Sequence, residues 1–126
     1  MDVIEKALAI QREASAKGLD WQDAFGVLKK LREELDELEQ VLRSRAEESY
    51  NEEVGDLLFS AVNLARMLAV DPEQALRDAI DKFDRRFREV LASIKGSGRK
   101  PEHISVEELD VLWEAAKKAE ASQSSG

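Results

Sequence analysis

The stretches KLREELDELEQ (residues 30–40) and NEEVGDLLFSAVNLA (residues 51–65) decide how this chain is read. In the first, Leu31, Leu35 and Leu38 recur at helical spacing, and the stripe extends back through Ala24, Val27 and Leu28 and forward to Leu42. In the second, Val54, Leu57, Leu58, Ala61, Val62, Ala65 and Leu68 do the same. The segment SRAEES between them has no apolar stripe and holds the connection, so the two helices are expected to lie antiparallel. Each helix carries two acids three residues apart, Glu34 with Glu37 and Glu53 with Asp56, and residues so spaced share a face. Glu34 and Glu53 border their stripes, with Glu37 and Asp56 further round the same side. The antiparallel fold would bring four carboxylates together, and the usual remedy for such repulsion is a hard divalent cation bound through oxygen, such as Mg2+. Either pair alone reads as a solvated helix face; their occurrence on consecutive helices is more specific. Gly55, inside the second helix, costs about 1 kcal/mol relative to Ala and marks either a close approach to the backbone or a packing contact.

Three further helices flank this pair. The first is expected over about Val3–Ala16, closed by Gly18, with Asp20 a candidate N-cap for the next helix. Asp71-Pro72-Glu73-Gln74 reads as the start of the fourth, with Asp71 at the N-cap and Pro72 at the first helical position. Its stripe of Leu76, Ala79, Ile80, Phe83, Phe87, Val90, Leu91 and Ile94 ends at Gly96-Ser97-Gly98. Ser105 and Glu108 form a capping box opening a fifth helix over about Val106–Ala119. The expectation is an all-α, four-helix-bundle-type fold with an additional C-terminal helix. Residues 1–120 form one domain and 121–126 a disordered tail. Phe59 and Leu64 lie outside the main stripe of the third helix. A helix apolar on more than one side needs more than one partner, so a homodimer centred on it is expected, the alternative being cover from the first or fifth helix.

Composition narrows the function. A net charge of -8 argues against binding a nucleic-acid polymer through its phosphates. It does not exclude a nucleotide, since a metal and a few local cations can reverse the sign within a pocket. The chain has no cysteine, which fits a reducing cytoplasm. The opening residues are too charged for a signal peptide, and no apolar run reaches membrane-spanning length, so no membrane partner is expected.

A second constellation sits in KFDRRF (residues 82–87), where Lys82 and Arg86 are one turn apart beside Phe83 and Phe87. Two cations there could hold phosphates, or could pair with Asp78 and Glu89 on the same helix. Trp113 and Lys117 are likewise one turn apart in the fifth helix; Trp113 could stack on a base or belong to the core. His103, in a loop beside Pro101, reads as a surface residue. With no histidine on the helices, a di-iron bundle of the Glu-x-x-His type is disfavoured.

These motifs together resemble the signature of MazG-type nucleoside triphosphate pyrophosphohydrolases, of the all-α NTP pyrophosphatase superfamily. Glu33, Glu34 and Glu37 match its EE-x-x-E, and Glu53 and Asp56 its E-x-x-D. ALAIQREASAKGLDW (7–21), EEVGDLLFSAVNLARMLAVDPEQALR (52–77), KFDRRF and LDVLWEAAKK (109–118) resemble the C-terminal catalytic domain of two-domain MazG proteins. Those proteins carry a second such unit, whereas one is legible here. The resemblance implies Mg2+-dependent hydrolysis of an NTP or dNTP to the monophosphate and pyrophosphate, by water attack at the α-phosphorus. It implies Glu34, Glu37, Glu53 and Asp56 as metal ligands for one or more Mg2+, with Mn2+ able to substitute. Lys82, Arg86, Trp113 and Lys117 would contact nucleotide, and Glu33, not needed as a ligand, is the expected general base. Two other readings are a non-enzymatic dimeric helical module and a related dUTPase or phosphoribosyl-ATP pyrophosphatase.

Overall fold

The structure, a computed structural model, describes residues 2–124. Its elements are α1 (Val3–Ala16), α2 (Ala24–Ser44), a 3-10 turn (Glu47–Ser49), α3 (Tyr50–Met67), α4 (Pro72–Gly96), a second 3-10 turn (Pro101–His103) and α5 (Val106–Ser124). No strand occurs among the described residues, so the fold is all-α with the expected additional C-terminal helix. Helix α5 runs past Ala119 into the stretch expected as a disordered tail; residues 125–126 lie outside the described residues.

Local chemistry sets the helix ends. Asp2 caps α1, its Oδ1 accepting from Glu5 N at 2.8 Å. Gly18, with φ of 84°, lets Leu19 N donate back to Ala14 O at 2.9 Å and stops the helix. The cap of α2 is Asp23 rather than Asp20: Asp23 Oδ1 accepts from Gly26 N at 3.1 Å. Asp20 is displaced from that role because its carboxylate is engaged with α1 and α3 side chains. Helix α2 ends on Arg45 in the left-handed region, and Ala46 N donates to Val41 O at 3.2 Å. Asp71 caps α4 as expected, Oδ1 accepting from Glu73 N at 3.0 Å and Gln74 N at 3.3 Å. Half of the expected capping box of α5 forms: Ser105 Oγ accepts from Glu108 N at 3.1 Å. The Glu108 carboxylate is paired with Arg99, which holds it below the usual glutamate range.

The chain divides into two compact units, one ending at Ala75 and one beginning at Leu76. In the first, α2 packs along α3 and α1 packs against α3. Residues 45–49 are too few for a crossover, so α2 and α3 run antiparallel. Among the described residues Val27 is the most deeply buried side chain, 1% exposed, and Leu8 of α1 is also buried. The polar residues Gln11 and Glu34 are also buried, and Gln11 Nε2 donates to Phe59 O at 3.0 Å, tying α1 to the α3 backbone. Helix α3 has no fully buried residue; Val54, Leu58 and Phe59 are exposed, as are Leu35 and Leu42 of α2. Helix α1 therefore reaches the Phe59 carbonyl without covering its ring.

In the second unit the core is Val90, Ile94 and Ala116, with Ile104, Leu112 and Trp113 partly buried around it. Phe83 and Phe87 stack with centroids 6.0 Å apart, and Phe83 meets Trp113 at 5.1 Å. The apolar stripe of α4 is buried only in its last turns; Leu76, Ile80, Phe83 and Phe87 remain exposed.

Candidate functional site

Three of the four expected acids converge. Ligand oxygens of Glu34, Glu37 and Glu53 lie within 4.8 Å of one another. Helical spacing places Glu34 and Glu37 one turn apart on α2, and the return of α3 sets Glu53 against them. Asp56, the next turn along α3, lies outside this close group, though its charge acts on Glu53.

The group is under electrostatic stress. Glu34 is 5% exposed; Lys30, four residues earlier, reaches its Oε1 at 3.4 Å, and Oε2 is buried with no hydrogen-bond partner. Glu53 Oε2 is also buried and unpartnered. Burial, and then the charges of Glu37, Asp56, Glu34 and Glu52, push the Glu53 carboxyl above the usual glutamate range. Lys30 is shifted upward in response, chiefly by Glu34. A buried carboxylate oxygen without a donor is costly. Two of them facing a third carboxylate form an oxygen-only donor set that fits a hard divalent cation. A second acidic trio, Asp2, Glu5 and Glu73, also lies within 4.8 Å, but it has no comparable orphaned oxygen among the described residues.

Glu33 is exposed on α2, directly before Glu34, and Glu52 is exposed directly before Glu53. Gly55 is open: a Cβ there would meet nothing within 4 Å, so neither a close approach nor a packing contact within the chain accounts for it.

In the second unit, Arg86 pairs with Glu120 of α5 at 2.7 Å, and not with Asp78 or Glu89. Lys82 is exposed one turn earlier on α4. Trp113 is half-buried against Phe83, and Lys117 lies 3.4 Å from Glu114.

Besides the Gln11–Phe59 bond, two polar linkages between helices escaped the sequence reading. Arg66 of α3 donates to Asp20 Oδ1 at 2.6 Å and to Asn63 Oδ1 at 2.9 Å, while Ser15 Oγ donates to Asp20 Oδ2 at 2.7 Å. Arg66 and Ser15 hold the Asp20 carboxyl well below the usual carboxylate range. The other is the Glu120 pairing. Both join residues far apart in sequence, which no spacing rule connects. The Lys30–Glu34 contact was not named from the sequence either, although its i, i+4 spacing is a signal that could have found it.

The model of the MazG nucleotide pyrophosphohydrolase domain matches residues 22–91, a span that holds the acidic group together with Lys82 and Arg86. The chain is 47% identical over 114 residues to the nucleoside triphosphate pyrophosphohydrolase/pyrophosphatase MazG of Thermotoga maritima, an alignment covering 90% of this chain and 44% of that protein. It is 35% identical over 122 residues to the nucleoside triphosphate pyrophosphohydrolase of Escherichia coli K12, covering 95% and 46% respectively. It is also 40% identical over 74 residues to the uncharacterized protein YabN of Bacillus subtilis, covering 59% of this chain and 15% of that protein. The chain spans a little under half the length of the first two curated relatives. With more than half of its residues inside the matched domain, the chain belongs to the MazG nucleotide pyrophosphohydrolase domain family.

Proposed function

We propose that this chain hydrolyses nucleoside triphosphates, ribo- or deoxy-, to the monophosphate and pyrophosphate. The observation that carries the reading is the convergence of Glu34, Glu37 and Glu53 with two orphaned buried oxygens, inside the span matched by the family. Glu34, Glu37, Glu53 and Asp56 would hold one or more Mg2+, which Mn2+ can replace. When bound, the ion neutralises phosphate charge and helps orient the attacking water.

The chain's own residues then have separable tasks. Glu33 accepts a proton from the water as its oxygen bonds to the α-phosphorus and the bond to the departing pyrophosphate breaks. Lys82 and Arg86 bind the phosphates that leave, countering the charge that accumulates on them. Trp113 and Lys117 contact the rest of the nucleotide, the ring by stacking and the ammonium by charge. The working form is a homodimer, a reading supported by the exposed Val54, Leu58 and Phe59 on α3. The cytoplasm is the compartment we assign, supported by the absence of cysteine. No helix among the described residues is long and apolar enough to cross a membrane.

A panel of NTPs and dNTPs with Mg2+, assayed for both products, tests the reaction. Equal amounts of pyrophosphate and monophosphate are expected, abolished by EDTA. Release of inorganic phosphate with diphosphate would refute it, as would no turnover of any member.

A further inference from the structure

Arg85 and Arg86 divide one carboxylate between them. Glu120 Oε1 accepts from Arg85 through Nε at 3.2 Å and Nη2 at 2.9 Å, and Glu120 Oε2 accepts from Arg86 Nε at 2.7 Å. The two arginines are adjacent on α4, and the carboxylate comes from the far end of α5.

Which nitrogen of Arg86 is used matters. A guanidinium presents its donors in one plane along two edges that can each grip two oxygens, one made by Nε with a terminal nitrogen and the other by the two terminal nitrogens. Glu120 takes the inner nitrogen of Arg86, and no hydrogen bond among the described residues engages the terminal pair. The bond is also sheltered: the Arg86 and Glu120 side chains are 20% and 25% exposed, against 73% and 50% for the Arg88–Asp84 pair on the same helix. Water competes less for a sheltered pair, so it restrains a long side chain better than a surface pair does. Arg85, 62% exposed, closes the second carboxylate oxygen from outside.

We infer that Glu120 is a positioning residue: it anchors Arg86 through Nε so that the terminal guanidinium edge is presented to the phosphates of the nucleotide. The inference rests on the proposed phosphate-binding role of Arg86. Arg86 first, and then Arg85, hold the Glu120 carboxyl below the usual glutamate range, so the anchor stays charged at neutral pH. Pre-organising a flexible cation removes part of the ordering cost of binding. Removing Glu120 should therefore weaken triphosphate binding without touching the terminal nitrogens themselves.

The test titrates the parent, Glu120→Gln, Arg86→Ala and the double variant with an α,β-methylene NTP and with NMP, all with Mg2+. Glu120→Gln is expected to weaken the triphosphate analogue about tenfold, the scale of one charge-assisted hydrogen bond, with NMP unchanged. Arg86→Ala should weaken it at least as much, and the double variant no further, because Glu120 acts only through Arg86. If Arg86→Ala weakens binding but Glu120→Gln binds like the parent, the positioning role is overturned. Tighter binding by Glu120→Gln overturns it too and makes Glu120 a competitor for the phosphate site. A double variant weaker than Arg86→Ala shows that Glu120 acts by another route, with the same consequence. If Arg86→Ala itself binds like the parent, the phosphate role of Arg86 fails and the inference fails with it. Should Glu120→Gln lose helicity, the Arg86 Nε–H resonance of the parent decides: continued protection from exchange on adding the analogue supports the anchor, and lost protection overturns it.

Discussion

Glu34 on α2 and Glu53 on α3 meet across the helix pair, and each keeps one buried carboxylate oxygen without a hydrogen-bond partner. Neither helix alone would create this situation. It arises because α3 returns along α2 with its first turns against the Glu34–Glu37 face.

A divalent cation should therefore stabilise the protein apart from any catalysis. Binding only to the folded state at about a hundred times its dissociation constant adds about 2.7 kcal/mol. Thermal melts with EDTA and with saturating Mg2+ are expected to differ by several degrees for the parent and little for Glu53→Gln. Identical melts of the parent in both conditions would remove the acidic group as a metal site.

The metal-free protein should show a distinctive pH response at this group. Glu53 is raised above its ordinary value of 4.5, so the folded state holds its proton more tightly than the unfolded chain does. Stability from this group is then present at low pH and lost as pH rises through the raised value. Asp20 and Glu120 are lowered, so their contributions have the opposite sign, present at higher pH and lost on acidification. In EDTA, the stability difference between Glu53→Gln and the parent is expected to grow in favour of the variant as pH rises from about 4 toward neutrality. A difference that stays flat across denaturation curves at several pH values would contradict the shift.

Glu33→Gln should lower kcat by about 10²–10⁴-fold, the usual range for a lost general base, while leaving the affinity for a non-hydrolysable NTP intact. Because Glu33 is exposed, helicity should not change. A collapse in affinity instead would make Glu33 a ligand and place the base elsewhere.

Val27→Ala probes the fold rather than the chemistry. Removing two buried methyl groups from the best-packed side chain should cost about 2 kcal/mol, the sum of transfer and cavity effects. Urea denaturation should show a lower midpoint with an unchanged slope. A stability equal to the parent's would mean that the Val27 site collapses freely and that α2 is not packed as described.

Much of this was legible one helical turn at a time. The bounds Val3–Ala16 and Pro72–Gly96 coincide with those expected from Gly18, Asp71, Pro72 and the Gly96-Ser97-Gly98 run. The acid pairs were legible because residues three apart must share a face. Asp20 was expected as the cap and Asp23 takes that role, because the Asp20 carboxylate is claimed by Arg66, which arrives from α3. The apolar stripes were read correctly as stripes, yet Leu35, Leu42, Phe83 and Phe87 stay exposed. Periodicity states which face is apolar and says nothing of whether a partner covers it.

The amino-acid sequence by itself determined the helices, most of their caps and the two acidic faces, since each depends on interactions within about one turn of the backbone. Only the tertiary structure decided that Glu34, Glu37 and Glu53 form the close group while Asp56 stands outside it. It also decided that Asp20 belongs to Arg66 and that Arg86 belongs to Glu120. Those pairings join residues brought together by helix packing, whose angle and offset follow from the summed fit of many side chains and from no local spacing.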